Sequence, residues 1–93
     1  MSIVVRYHPA SMTAEKYDAT NGQIEAAGIE WPPDGLDMHV CFGTDGNLVV
    51  SEIWDSREQW QAFGERLMPV LAEAGIEMER EPEVFEAHEL IKR

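Results

Sequence analysis

The sequence predicts an α+β fold, four strands and two helices in the order β-α-β-β-α-β, and three observations predict it. β-branched and aromatic runs recur between Pro and Gly breakers. Two intervening segments open on hydroxyl caps and carry apolar residues at helical spacing. An Asp45-Gly46 pair separates the two middle β-rich runs, as a hairpin turn does.

Each element follows in order. Ser2 to His8 holds Ile3, Val4, Val5 and Tyr7 and stops at Pro9, which makes it strand one. Thr13 is an N-cap with Glu15 in the first turn, where a negative charge meets the positive end of the helix. Tyr17, Ile24 and Ala27 form one face of that helix, Asn21 and Gly22 weaken it, and Gly28 ends it. Glu30 to Gly35 is a loop stiffened by Pro32 and Pro33. Asp37 to Gly43 and Asn47 to Trp54 are strands two and three around Asp45-Gly46, both of whose residues such a turn places at positive φ. Ser56 with Gln59 is a capping-box pattern opening the second helix. That helix presents Trp60, Phe63, Leu67, Val70, Leu71 and Ala74, ends at Gly75, and is bent by Pro69, which gives Glu65 no backbone donor. After Pro82, Glu83 to Ile91 is strand four.

This order is the ferredoxin-like split βαβ arrangement with a four-stranded antiparallel sheet. Right-handed crossovers lead us to expect strands one and three side by side and parallel, with four and two at the edges. Both helices then cover one face and leave the other bare. One face of the hairpin carries Met38, Val40, Phe42, Val49, Ser51 and Ile53; the other carries Asp37, His39, Cys41, Leu48, Val50, Glu52 and Trp54. Neither is a plain polar surface, so a second copy is the expected cover and the expected assembly is a homodimer.

Length and charge set the outer bounds. At 93 residues the chain has room for one domain, 1–93, and 44% hydrophobic with 27% charged residues is an ordinary globular composition. No apolar run reaches the ~20 residues of a membrane span. The first ten residues lack the basic and apolar regions of a signal peptide. Cys41 is the only cysteine, so no internal disulfide forms, and the expected location is cytoplasmic. A formal charge of −11 repels phosphate backbones and anionic lipid, which argues against nucleic-acid and membrane partners.

Several strings resemble small bacterial proteins of the dimeric α/β-barrel superfamily. They are Arg6-Tyr7-His8-Pro9 with Met12-Thr13-Ala14-Glu15, Trp31-Pro32-Pro33-Asp34-Gly35, His39-Val40-Cys41-Phe42-Gly43, and Ser51 through Trp54-Asp55-Ser56 to Met68-Pro69. The resemblance spans nearly the whole chain. Glu52-Ile53-Trp54 before a capped helix is similar to the antibiotic-biosynthesis monooxygenase group, which includes cofactor-free oxygenases of aromatic polyketides and haem-degrading enzymes. The resemblance implies a ligand pocket with Trp54 on its wall; other branches are isomerases and cyclases. The second helix has no histidine to ligate iron, a departure from the haem-degrading pattern.

His39 and Glu52 are the candidate catalytic residues. The Asp45-Gly46 turn sets them opposite each other on adjacent strands, with Cβ atoms ~5 Å apart. A carboxylate there orients the imidazole as a proton acceptor. A one-residue register slip would separate them, and such pairs are more often structural contacts than dyads. His8, Trp54 and His39 are expected at one end of the sheet, with Trp31 as part of a lid. Met68, Pro69 and Leu71 are expected to shape a cavity, and Tyr17 to point its hydroxyl into it. The candidate ligand-binding residues are therefore Trp54, His8, Trp31, Tyr17 and Met68. His88 is placed on strand four, in a sheet-face or dimer-contact role, and Cys41 acts as a small hydrophobe. The histidine spacing matches no metal signature, and no phosphate loop, nucleophile elbow or HExxH is present, so no cofactor is expected. The expected function is binding of an apolar or aromatic small molecule between sheet and helices. The alternatives are a cofactor-independent monooxygenase, isomerase or cyclase using the His–Glu pair, and an interaction module whose pocket is filled.

Overall fold

The structure, a computed structural model, describes residues 2–93. Its elements are β1 (Ile3–Pro9), α1 (Ala14–Ala26), β2 (Leu36–Phe42), β3 (Val49–Trp54), α2 (Arg57–Glu73) and β4 (Met78–Glu86). The four strands form one sheet in the order β2-β3-β1-β4, and every neighbouring pair is antiparallel. The expected parallel pairing of the first and third strands is corrected here. The α1 crossover sets β1 and β2 parallel with one strand's width between them. β3 is the hairpin partner of β2, so it runs against both when it fills the gap.

Helix ends are closed by local chemistry. Thr13 Oγ1 accepts from the Lys16 amide at 3.0 Å, and Asp45 Oδ1 accepts from the Ala14 amide at 2.8 Å, tying the hairpin turn to the start of α1. Both helices end in the same way. The amides of Gly28 and Ile29 donate to Glu25 and Ile24, and those of Gly75 and Ile76 donate to Ala72 and Leu71, each around a glycine at positive φ. α2 runs through Pro69 rather than stopping there. At its start Ser56 Oγ accepts from the Gln59 amide at 3.2 Å.

Two further expectations change. Strand four starts at Met78 and ends at Glu86, passing through Pro82 and leaving His88 beyond it and exposed. β4 is an edge strand, and the register slips between Arg6–Glu83 and His8–Arg80, so Pro82 sits in a bulge where no ladder donor is required. In the hairpin, Asn47 donates to Thr44 at 2.8 Å, so Asp45-Gly46 is central as expected, but of these two residues only Gly46 has positive φ (96°). That is the pattern of a type II turn, where the second central residue alone needs glycine.

The helices cover one sheet face. Its buried core is Ile3, Val5, Tyr7, Val50, Trp54 and Phe63, with Val5 and Trp54 fully enclosed. The opposite face leaves Met38, Val40, Phe42 and Phe85 exposed. Among the described residues no helix is long and apolar enough to cross a membrane.

Candidate functional site

The antiparallel register places His39 of β2 opposite Glu52 of β3, and Glu52 opposite Val5 of β1, all on the face beneath the helices. Glu52 is only 4% exposed. A buried carboxylate needs partners for both oxygens. Oε2 meets His39 Nδ1 at 2.6 Å, and Oε1 accepts from the indole N–H of Trp54, two residues on along the same face, at 3.0 Å. The other ring nitrogen of His39, Nε2, lies 2.7 Å from the Tyr17 hydroxyl on the inner face of α1. The result is one hydrogen-bonded chain, Tyr17–His39–Glu52–Trp54. Every buried polar side-chain atom among the described residues has a partner.

Aromatic packing fixes the imidazole from the other side. Trp31, in the loop between α1 and β2, sets its ring edge-on to His39 with centroids 5.0 Å apart, and its second neighbour is Phe63 of α2 at 6.2 Å. Between these groups lies a cavity of about 80 Å³, open at one side, walled by apolar side chains including Ile24, Phe63, Leu67 and Leu71. Tyr17, His39 and Glu52 supply its polar corner. Burial pushes the Tyr17 hydroxyl above its ordinary 10.0, partly opposed by a hydrogen bond from Asn21. Tyr7 is raised by burial and by the nearby Glu52 charge, and its oxygen accepts from Trp60 at 2.6 Å. Cys41 is raised as well, by burial and then by Asp18, the opposite of an activated thiolate.

Neither a protein-family model nor a curated protein matches the chain in sequence. Solved structures match it in shape. MupZ from Pseudomonas fluorescens superposes with a TM-score of 0.67 and 11% identity, over 99% of this chain and 94% of that one. SnoaB, a cofactor-independent oxygenase from Streptomyces nogalater, gives 0.62 and 14% over 99% and 96%. A provisional antibiotic biosynthesis monooxygenase from Deinococcus radiodurans gives 0.60 and 16% over 100% and 98%. The fold is that of the antibiotic-biosynthesis monooxygenase-like proteins. At these identities the likeness is one of fold alone.

On this shared fold the candidate residues fall into two groups. His39, Glu52, Tyr17 and Trp31 are brought together at the cavity. Trp54 lies beneath them, fully buried, touching Glu52 rather than lining the open space. His8 is displaced twice: alternation with Val5 and Tyr7 turns it to the opposite sheet face, and the antiparallel register, which pairs Ile3 with Trp54, sets it at the other end of the sheet. There it binds Glu83 at 2.6 Å and lies 3.2 Å from Arg80, and that hydrogen bond draws the Glu83 carboxyl below its ordinary value. Met68 lies on the outer side of α2, against a separate hollow lined by Trp60 and Pro82. One residue before it, Leu67 takes the inner position, four residues from both Phe63 and Leu71. Phe63 and Leu67 belong to the core stripe in the sequence, and Met12, Ile24, Ile76 and Met78 come to the wall from separate elements. The helical period marks the α2 residues as inward-facing; no local signal distinguishes a filled contact from a cavity wall. Among the described residues no group of three or more His, Cys, Asp or Glu side chains is gathered as metal ligands would be.

Proposed function

We propose that this protein binds an apolar or aromatic small molecule in the cavity between its helices and its sheet. One observation carries the reading: an otherwise apolar cavity with a single hydrogen-bonded polar corner, Tyr17–His39–Glu52. Apolar walls with a few convergent polar groups suit a ligand that is mostly hydrocarbon with one polar atom. A filled interaction module would have no such space.

A second reading adds proton transfer, as in a cofactor-independent monooxygenase, isomerase or cyclase. It is favoured by the buried Glu52, whose carboxylate lies where it stabilises a positive charge on His39. The fold likeness to a cofactor-independent oxygenase is compatible with it. We further propose that a second copy covers the bare sheet face, where Met38, Val40, Phe42 and Phe85 are exposed, giving a homodimer. The single unpaired Cys41 fits a reducing compartment such as the cytoplasm.

The test is native mass spectrometry of protein purified from its own host, with and without mild activation. A dimer that releases a discrete small mass is the expected result, and the mass names the ligand. An empty dimer, unchanged by added aromatic compounds, overturns the small-molecule reading. A monomer overturns the assembly.

A further inference from the structure

We propose that the Tyr17 hydroxyl, and not the His39 imidazole, is the group that meets the ligand, and that the ligand is an O–H acid, a phenol or an enol. This rests on the cavity being a small-molecule site. The imidazole is occupied at both ends: Nδ1 by Glu52 at 2.6 Å and Nε2 by Tyr17 at 2.7 Å. Glu52 in turn accepts from an indole N–H, which can only donate. The chain therefore has one direction. With a neutral imidazole, Trp54 and His39 Nδ1 donate to the carboxylate, which leaves Nε2 as an acceptor supplied by the Tyr17 O–H.

With its proton committed to His39, the Tyr17 oxygen offers the cavity the lone-pair positions that its hydrogen bond from Asn21 leaves free. A ligand hydroxyl can donate to them; an ether or ketone oxygen cannot. Nearby, Thr20 already donates its hydroxyl to the Lys16 carbonyl at 2.8 Å. The Asn21 amide, the other polar group beside Tyr17, is turned to the same oxygen, so at that oxygen the site selects for a donor.

The same arrangement moves a proton without leaving a tyrosinate. As the ligand O–H bond breaks, its proton passes to the Tyr17 oxygen, and the Tyr17 proton passes to Nε2. The products are a ligand oxyanion and an imidazolium paired with Glu52; no electron is transferred. Burial disfavours ionised Tyr17, so the negative charge rests on the ligand and the positive charge on the imidazole rather than on the tyrosine. The ligand is held hydroxyl first. The enclosed 80 Å³ is smaller than the roughly 150 Å³ cavity that takes up benzene, so the far end projects past Trp31 into the outer hollow formed with Asn21, Ile24, Glu25 and Ile29.

Two probes of nearly equal shape test this: para-nitrophenol, which has the donor, and para-nitroanisole, in which a methyl group replaces it. The wild-type protein is expected to bind the phenol about tenfold more tightly, one hydrogen bond's difference, and to show nitrophenolate absorbance at a pH where the free phenol is still neutral. Tyr17→Phe is expected to bind both probes equally and to lose the nitrophenolate band. Nitrogen NMR of the wild-type protein gives a readout that needs no variant, since a proton must arrive on His39 Nε2 when the phenol binds. If both probes bind the wild type equally, or Tyr17→Phe keeps the preference and the band, the Tyr17 assignment is overturned while the cavity reading stands. If neither probe binds, the cavity reading fails and takes this one with it.

Discussion

A carboxylate as enclosed as Glu52 is costly unless its charge is matched, and the neighbouring tyrosines register that cost. Both tyrosines of the chain, Tyr7 and Tyr17, are held above 10.0, chiefly by burial and further by the Glu52 charge. In the unfolded chain they ionise at ordinary values; in the fold they keep their protons. Their contribution to stability is therefore complete below pH 10.0 and is lost as pH rises through the folded values, because the unfolded state releases protons the native state retains. Cys41 contributes with the same sign from 9.0 upward. An alkaline titration should show tyrosinate absorbance and circular-dichroism loss in a single step. Tyrosinate appearing near 10.0 with the fold intact would mean that these hydroxyls are hydrated. The His39–Glu52 contact was legible from the turn spacing, which fixes the register. The end of the sheet at which His8 sits was not, because it depends on the direction of β3 against β1, whereas its face follows from plain alternation with Tyr7.

At the scale of elements, local rules succeed where contacts are local. Thr13, Gly28, Ser56 and Gly75 bound α1 and α2 in the sequence as in the fold. They fail at β4, where Pro82 is a breaker in isolation and a tolerated bulge on a sheet edge. The loop carrying Trp31 is held by a contact that no local pattern announces. Gly35, at φ 90°, packs so closely on Gln59 of α2 that a Cβ there would lie 2.5 Å from the Gln59 side chain, and its carbonyl accepts from the Asp55 amide at 2.8 Å. Gly46 has a similar φ of 96° but open space around it. Gly35→Ala should therefore cost about 2–4 kcal/mol, backbone strain plus displacement of Gln59, and Gly46→Ala about 1 kcal/mol from strain alone. Urea unfolding of the two variants measures the difference; equal losses would show that the loop is not clamped at Gln59.

For the whole molecule the decisive contrast is between a strongly acidic chain and an apolar sheet face. The formal charge is −11, yet Met38, Val40, Phe42 and Phe85 are 51%, 44%, 42% and 54% exposed on the surface opposite the helices. Near them His8 bonds Glu83 and Arg80, and Arg6 donates to Ser51, all within a single chain. If two copies meet on this face, apolar burial drives the association and like net charge opposes it. Salt then acts in the reverse of its usual direction for ion-paired interfaces. Raising the ionic strength shortens the screening length from ~30 Å at 0.01 M to ~10 Å at 0.1 M, which weakens repulsion and leaves hydrophobic burial in place. The dimer dissociation constant, measured by analytical ultracentrifugation, should fall several-fold over that range, and Val40→Glu should give a folded monomer at every salt concentration. A dimer that loosens with salt, or one that survives Val40→Glu, would place the contact on charged surface elsewhere and leave the apolar face without its partner.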